Sequence, residues 1–97
     1  MSEETFKTDV EQTITIYERA TGRVATRTRK MIGKHGEIAA LSRLMINTDL
    51  QQGFKVLCKR GQLDNSFESV VIRFQHLFGT DTIQAARWRL AHLNELL

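Results

Sequence analysis

Apolar residues recur along this chain at steps of three and four, the spacing that lines one face of a helix. Val10, Ile14, Tyr17, Thr21, Val24, Thr28 and Met31 form the first series and predict a helix over about 8–32. Gly22 interrupts it, and Thr13-Ile14-Thr15-Ile16 is a run of β-branched residues. The segment therefore reads as one helix, as two helices meeting near Gly22, or as a helix that starts from a short extended stretch. Gly33 and Gly36 bracket Lys34-His35 and close the segment, a left-handed glycine serving as the C-cap. Shorter series follow. Ile38, Leu41, Leu44 and Met45 predict a helix over 37–46, and Phe54, Leu57 and Cys58 one over 50–60. Phe67, Val70, Val71, Phe74 and Leu77 predict one ending near 78. Ile83, Ala86, Trp88, Leu90 and Leu93 predict a last one ending near 96.

The punctuation between these series agrees with helices. Asn47-Thr48-Asp49 reads as a turn with Thr48 or Asp49 as the next N-cap, and Gly61 sits where a C-terminal glycine belongs. Asn65 with Glu68 resembles a capping box, Gly79 ends the fourth helix, and Thr80 or Asp81 caps the fifth. Val70-Val71-Ile72 favours β structure, which makes a strand over 69–74 the competing reading. The flanking caps and the i, i+3, i+4, i+7 spacing favour the helix. The chain has no proline to interrupt it. The expected fold is all-α, a single compact bundle of four to five helices over residues 1–97.

Composition narrows the class without changing that picture. Ninety-seven residues that are 41% hydrophobic and 26% charged are enough for one modest core and argue against disorder. One cysteine, Cys58, cannot form an internal disulfide, and no run of 18 apolar residues is present. The acidic start Met1-Ser2-Glu3-Glu4 lacks the form of a signal peptide, so a cytoplasmic protein is expected.

Charge is distributed in blocks. Residues 1–18 carry Glu3, Glu4, Asp9, Glu11 and Glu18 against Lys7 alone. Residues 19–34 carry Arg19, Arg23, Arg27, Arg29, Lys30 and Lys34 and no acid. On a continuous helix turning about 100° per residue, Arg19, Arg23, Arg27, Lys30 and Lys34 fall within an arc of about 80° and span about 22 Å. Like charges at this spacing repel, and no acid within the segment relieves them. Phosphates would. Three other fates compete: a merely solvated face, neutralisation by the acidic N-terminal segment, and an acidic protein partner. An anionic membrane surface fits less well, because the opposite face lacks the Trp, Phe and Leu of an interfacial helix.

Other chemistry is sparse. His35, His76 and His92 have no metal-ligand spacing, and Cys58 reads as a core thiol. Asp64 and Glu68 are four apart, but capping explains them better than acid–base catalysis. Gly33-Lys34-His35-Gly36 lacks the spacing of a phosphate-binding loop. No catalytic residue, cofactor or metal is expected. The segments 50–60 and 67–78 have the outline of a helix-turn-helix, yet the connection is long and Arg73 is the only evident base reader, so two packed helices is the better reading. Trp88, Leu93 and Leu97 give the last helix apolar surface that closes the core or forms a homodimer interface.

The run Gly61-Gln62-Leu63-Asp64-Asn65-Ser66-Phe67-Glu68-Ser69-Val70-Val71, then Leu77-Phe78 and Ala85-Ala86-Arg87-Trp88-Arg89-Leu90, resembles a segment recurring in uncharacterised bacterial and phage-associated proteins. The resemblance spans roughly residues 50–90. It implies a prokaryotic or mobile-element origin and carries over no activity and no site residue.

These readings lead to one expectation and one alternative. The expectation is a small non-enzymatic protein that binds nucleic acid with little sequence specificity, through phosphate contacts from Arg19, Arg23, Arg27, Lys30 and Lys34. The alternative is a protein-interaction or assembly module, an accessory subunit or regulator. There Trp88 is the anchor and the basic face meets an acidic protein.

Overall fold

A computed structural model describes residues 3–46 and 51–92, without the side chains of residues 3, 51–54 and 63. Among the described residues five α-helices follow one another: α1 (Glu3–Thr21), α2 (Thr26–Ile46), α3 (Gln51–Lys59), α4 (Phe67–Arg73) and α5 (Thr80–Ala91). Single 3-10 turns at Leu63–Asn65 and Gln75–Leu77 flank α4. No strand occurs among the described residues, and the fold is the all-α bundle that the spacing predicts.

α1 buries Phe6, Val10, Thr13 and Ile14, one stripe at helical spacing. Phe6 lies before the predicted start of the helix. It is nevertheless a core residue, meeting Phe74 edge-on at 5.2 Å and Phe78 at 5.8 Å between ring centres. The β-branched run Thr13–Ile16 stays helical because two of its side chains are fully packed. α1 stops at Gly22, whose φ of 71° is left-handed and whose N–H donates to the Glu18 carbonyl at 2.8 Å. Of the three readings of the first segment, two helices meeting at Gly22 is the observed one. Val24 accordingly leaves the apolar series: it sits in the connection and is 73% exposed.

α2 is kinked at Gly36, where φ is 83° and ψ 167°, a conformation that only glycine enters readily. Gly33 remains helical, so the predicted break falls at the second of the two glycines. Beyond the kink, Ala40, Leu41, Leu44 and Met45 are buried. The turn predicted at 47–49, and the start of the third helix at Leu50, lie outside the described residues. α3 buries Leu57, leaves Cys58 half-buried, and closes on Gly61. There Gln62 N–H reaches the Leu57 carbonyl and Gly61 N–H the Cys58 carbonyl.

α4 runs through the centre of the core, with Phe67, Val70, Val71 and Phe74 buried. The β-favouring Val70-Val71 pair is helical because both side chains are completely enclosed, which outweighs local propensity. The capping box predicted at Asn65 and Glu68 is not formed. Ser66 is the N-cap, its hydroxyl accepting from Ser69 N–H at 3.2 Å, and Glu68 turns into the core instead. The helix ends at Arg73 rather than near 78, and the 3-10 turn carries the chain onward. Gly79 is the N-cap of α5, without a side-chain cap from Thr80 or Asp81, which lie in the first turn. α5 packs most extensively on α4 and also against α2. The Cα radius of gyration is 12.3 Å, matching the roughly 12.5 Å of a compact chain this long.

Candidate nucleic-acid interface

The junction between α1 and α2 decides what becomes of the basic stripe. The Thr21 hydroxyl donates to the Tyr17 carbonyl at 3.0 Å and accepts from Arg23 N–H at 3.4 Å. One turn earlier, the Glu18 carboxylate accepts from Ala25 N–H at 2.7 Å. α2 has no acidic residue in its first turn. Glu18 therefore supplies, from the preceding helix, the negative charge that a helix N-terminus favours.

The same carboxylate lies on the Arg29 guanidinium, which donates from Nη2 at 2.7 Å and from Nε at 3.1 Å. Nη1 of Arg29 donates to Glu11 at 2.9 Å, so two acids of α1 share one arginine of α2. The hydrogen bonds from Arg29, then that from Ala25 N–H, hold the Glu18 carboxyl at about 2, well below its ordinary range. The bonds to Glu18 and then Glu11 raise the Arg29 guanidinium further above its ordinary value.

A single five-cation helix face does not exist. Arg19 lies in the last turn of α1, Arg23 in the connection, and Arg27, Lys30 and Lys34 on α2. The left-handed Gly22 is the physical reason, since it redirects the chain in the middle of the predicted stripe. What survives on α2 is shorter: three cations within about 60° of arc and about 10 Å of rise. That arc lies on the opposite flank from Arg29, and the buried Thr28 falls between them on the inward side. All five cations are exposed. Arg19, Arg23, Lys30 and Lys34 make no side-chain hydrogen bond or ion pair with the described residues.

Three acids of α1 fold back onto arginines outside the stripe. Glu11 and Glu18 take Arg29, and Asp9 takes Arg73 at 2.7 Å and 3.1 Å. Arg73 also donates to the Asp64 carbonyl at 2.7 Å. The arginine that a helix-turn-helix would need as its base reader is therefore committed to structure.

No family model, curated protein or solved structure matches this chain. What the junction can do follows from its own chemistry, and the resemblance over residues 50–90 gains no relative from which to import a role.

Away from the junction, Trp88 is not a core residue. It is 47% exposed and stacks on His92, with ring centres 4.3 Å apart and planes at 14°. Leu93 and Leu97, the other two residues of the expected interface, lie outside the described residues. Inside the bundle, Glu68 and Arg89 form an ion pair at 2.8 Å with 4% and 11% of their side chains exposed. Burial, and secondarily the Glu68 charge, push the Tyr17 phenol up. No spacing rule singles out that pair, because the partners are 21 residues apart. Among the described residues, no group of three or more His, Cys, Asp or Glu side chains could hold a metal ion. No described helix is long and apolar enough to cross a membrane.

Proposed function

We propose that this chain is a small nucleic-acid-binding protein that contacts phosphates through Arg19, Arg23, Arg27, Lys30 and Lys34. The observation that carries the reading is the disposition of charge at the junction. The nearby acids, Glu11 and Glu18, are spent on Arg29, while four exposed cations along 19–34 have no counter-ion among the described residues. Unpaired like charges close together are an unfavourable arrangement that an anionic partner relieves. Arginine forks and lysine ammonium groups suit phosphate oxygens, and such contacts position a nucleic acid without reading its bases. A cytoplasmic location belongs to the same proposal.

One observation favours a second reading. An exposed tryptophan is a common anchor of protein interfaces, and Trp88 is such a residue. In that case the chain is an assembly module, as a homodimer or with an acidic protein. Two variants separate the readings. Arg23→Glu/Arg27→Glu abolishes capture of a labelled duplex without changing the thermal melt if nucleic acid is the ligand. Trp88→Ala shifts the sedimentation behaviour, with the charge reversal silent, if assembly is the role.

A further inference from the structure

The connection between α1 and α2 is held firmly, with Ala25 packed against the core, while Arg23 and Val24 stay outside it. Its backbone is fixed at three points: Gly22 N–H on the Glu18 carbonyl, Arg23 N–H on the Thr21 hydroxyl, and Ala25 N–H on the Glu18 carboxylate. Yet Val24 is 73% exposed, and the Arg23 side chain is exposed with no partner among the described residues. Neither side chain contributes to the core. A preorganised backbone presenting an arginine and an apolar side chain to solvent has the form of a recognition loop on a rigid scaffold.

The charge around it selects the partner. Arg19 precedes the loop and Arg27 follows it, with Lys30 and Lys34 continuing along α2. The end of α2 is not itself free for an anion, because the Glu18 carboxylate occupies it. Anion contacts must come from side chains. An apolar residue between cations fits a partner whose phosphates flank a narrow cleft walled by sugars. We propose that Arg23 and Val24 enter the minor groove of duplex DNA while Arg27, Lys30 and Lys34 lie on the flanking phosphates. This rests on the nucleic-acid reading above.

Dimensions favour this groove over the major one. The minor groove is about 6 Å wide and admits a narrow loop tip, whereas the major groove of about 12 Å takes a helix or a ribbon. A·T-rich sequence narrows the groove further and deepens its negative potential, which draws arginine in. Val24 would pack against the base edges at its floor, where the N2 amino group of guanine would otherwise project.

Fluorescence anisotropy with three duplexes of equal length tests the proposal: one A·T-rich, one G·C-rich, and one with inosine in place of guanine. Inosine removes the minor-groove amino group and leaves the major-groove edge of guanine. The expected result is that the A·T and inosine duplexes bind alike and the G·C duplex about five- to tenfold more weakly. Val24→Ser and Arg23→Lys, both at an exposed loop, should bring the three within about twofold of one another without altering the melt. Equal affinity for all three duplexes in the unaltered protein overturns the groove contact and leaves the phosphate reading standing. No binding to any duplex, or binding only to phosphatidylserine vesicles, overturns both.

Discussion

The Arg29 guanidinium lies fork-to-fork on the Glu18 carboxylate, Nη2 at 2.7 Å from Oε1 and Nε at 3.1 Å from Oε2. The contact helps join α1 to α2, and the same carboxylate caps α2 through Ala25 N–H. It also withdraws Arg29 and Glu18 from the charge on the surface. It explains how a segment with six bases and no acid folds beside an acidic helix without the two charges simply cancelling.

Replacing Glu18 by Gln should loosen the junction. The amide still reaches Ala25 N–H but loses the charge that binds Arg29. Weakening a part-buried, charge-assisted contact of this kind costs about 1 kcal/mol. In a chain this small, that corresponds to a fall in melting temperature of about 4–8 °C. Glu11→Gln should cost much less, since its contact with Arg29 is well exposed. Thermal melts by circular dichroism compare the two.

Acid should act through the same residue. Glu18 titrates at about 2 in the folded protein, below its ordinary 4.5. The unfolded chain therefore binds more protons between those values, and stability rises with pH across that window. The contribution is complete above about 4.5 and lost as the pH falls toward 2. Glu18→Gln should lack this component of the acid transition. Denaturant midpoints between pH 5 and 2 for both proteins provide the check.

The buried pair has a different signature. Arg89→Met leaves the Glu68 carboxylate buried without its partner and should cost about 3–5 kcal/mol. Adding Glu68→Leu removes the stranded charge, so the double variant should be more stable than Arg89→Met alone. Urea titrations of the three proteins decide it. A double variant less stable than Arg89→Met would show that the pair contributes more than mutual neutralisation.

At the N-terminal end of α1, Phe6→Ala should cost about 3–5 kcal/mol, the range for an enclosed aromatic ring. Phe6 is 1% exposed and touches both Phe74 and Phe78. A loss below about 1 kcal/mol in the urea midpoint would show that the first turns of α1 do not close the core.

The helices were legible in the sequence because their apolar spacing, glycine ends and missing prolines agree. Their junctions were less so. Gly22 marked an ambiguity, and only the tertiary contact of Glu18 with Ala25 and Arg29 resolves it into a turn. The basic stripe presupposes a continuous helix that this turn breaks, so its chemistry is visible in the sequence while its geometry is not. Glu68 looked like a capping residue from its distance to Asn65. Its partner Arg89 comes from another helix, beyond the reach of any local rule. Phe6 escapes the sequence reading because the apolar series begins at Val10, four residues after it. Arg29 differs from its neighbours in the stripe only through two acids of α1, and linear charge counting cannot distinguish it from them.

The cations around the α1–α2 junction are proposed to bind nucleic-acid phosphates. The most direct measurement is the salt dependence of affinity for a labelled duplex, by anisotropy between about 50 and 200 mM salt. With about four phosphates engaged, log K against log salt should fall with a slope near −3 to −4, and Arg23→Glu/Arg27→Glu should abolish binding. No binding at the lowest salt, or binding that the double charge reversal leaves intact, would contradict the account.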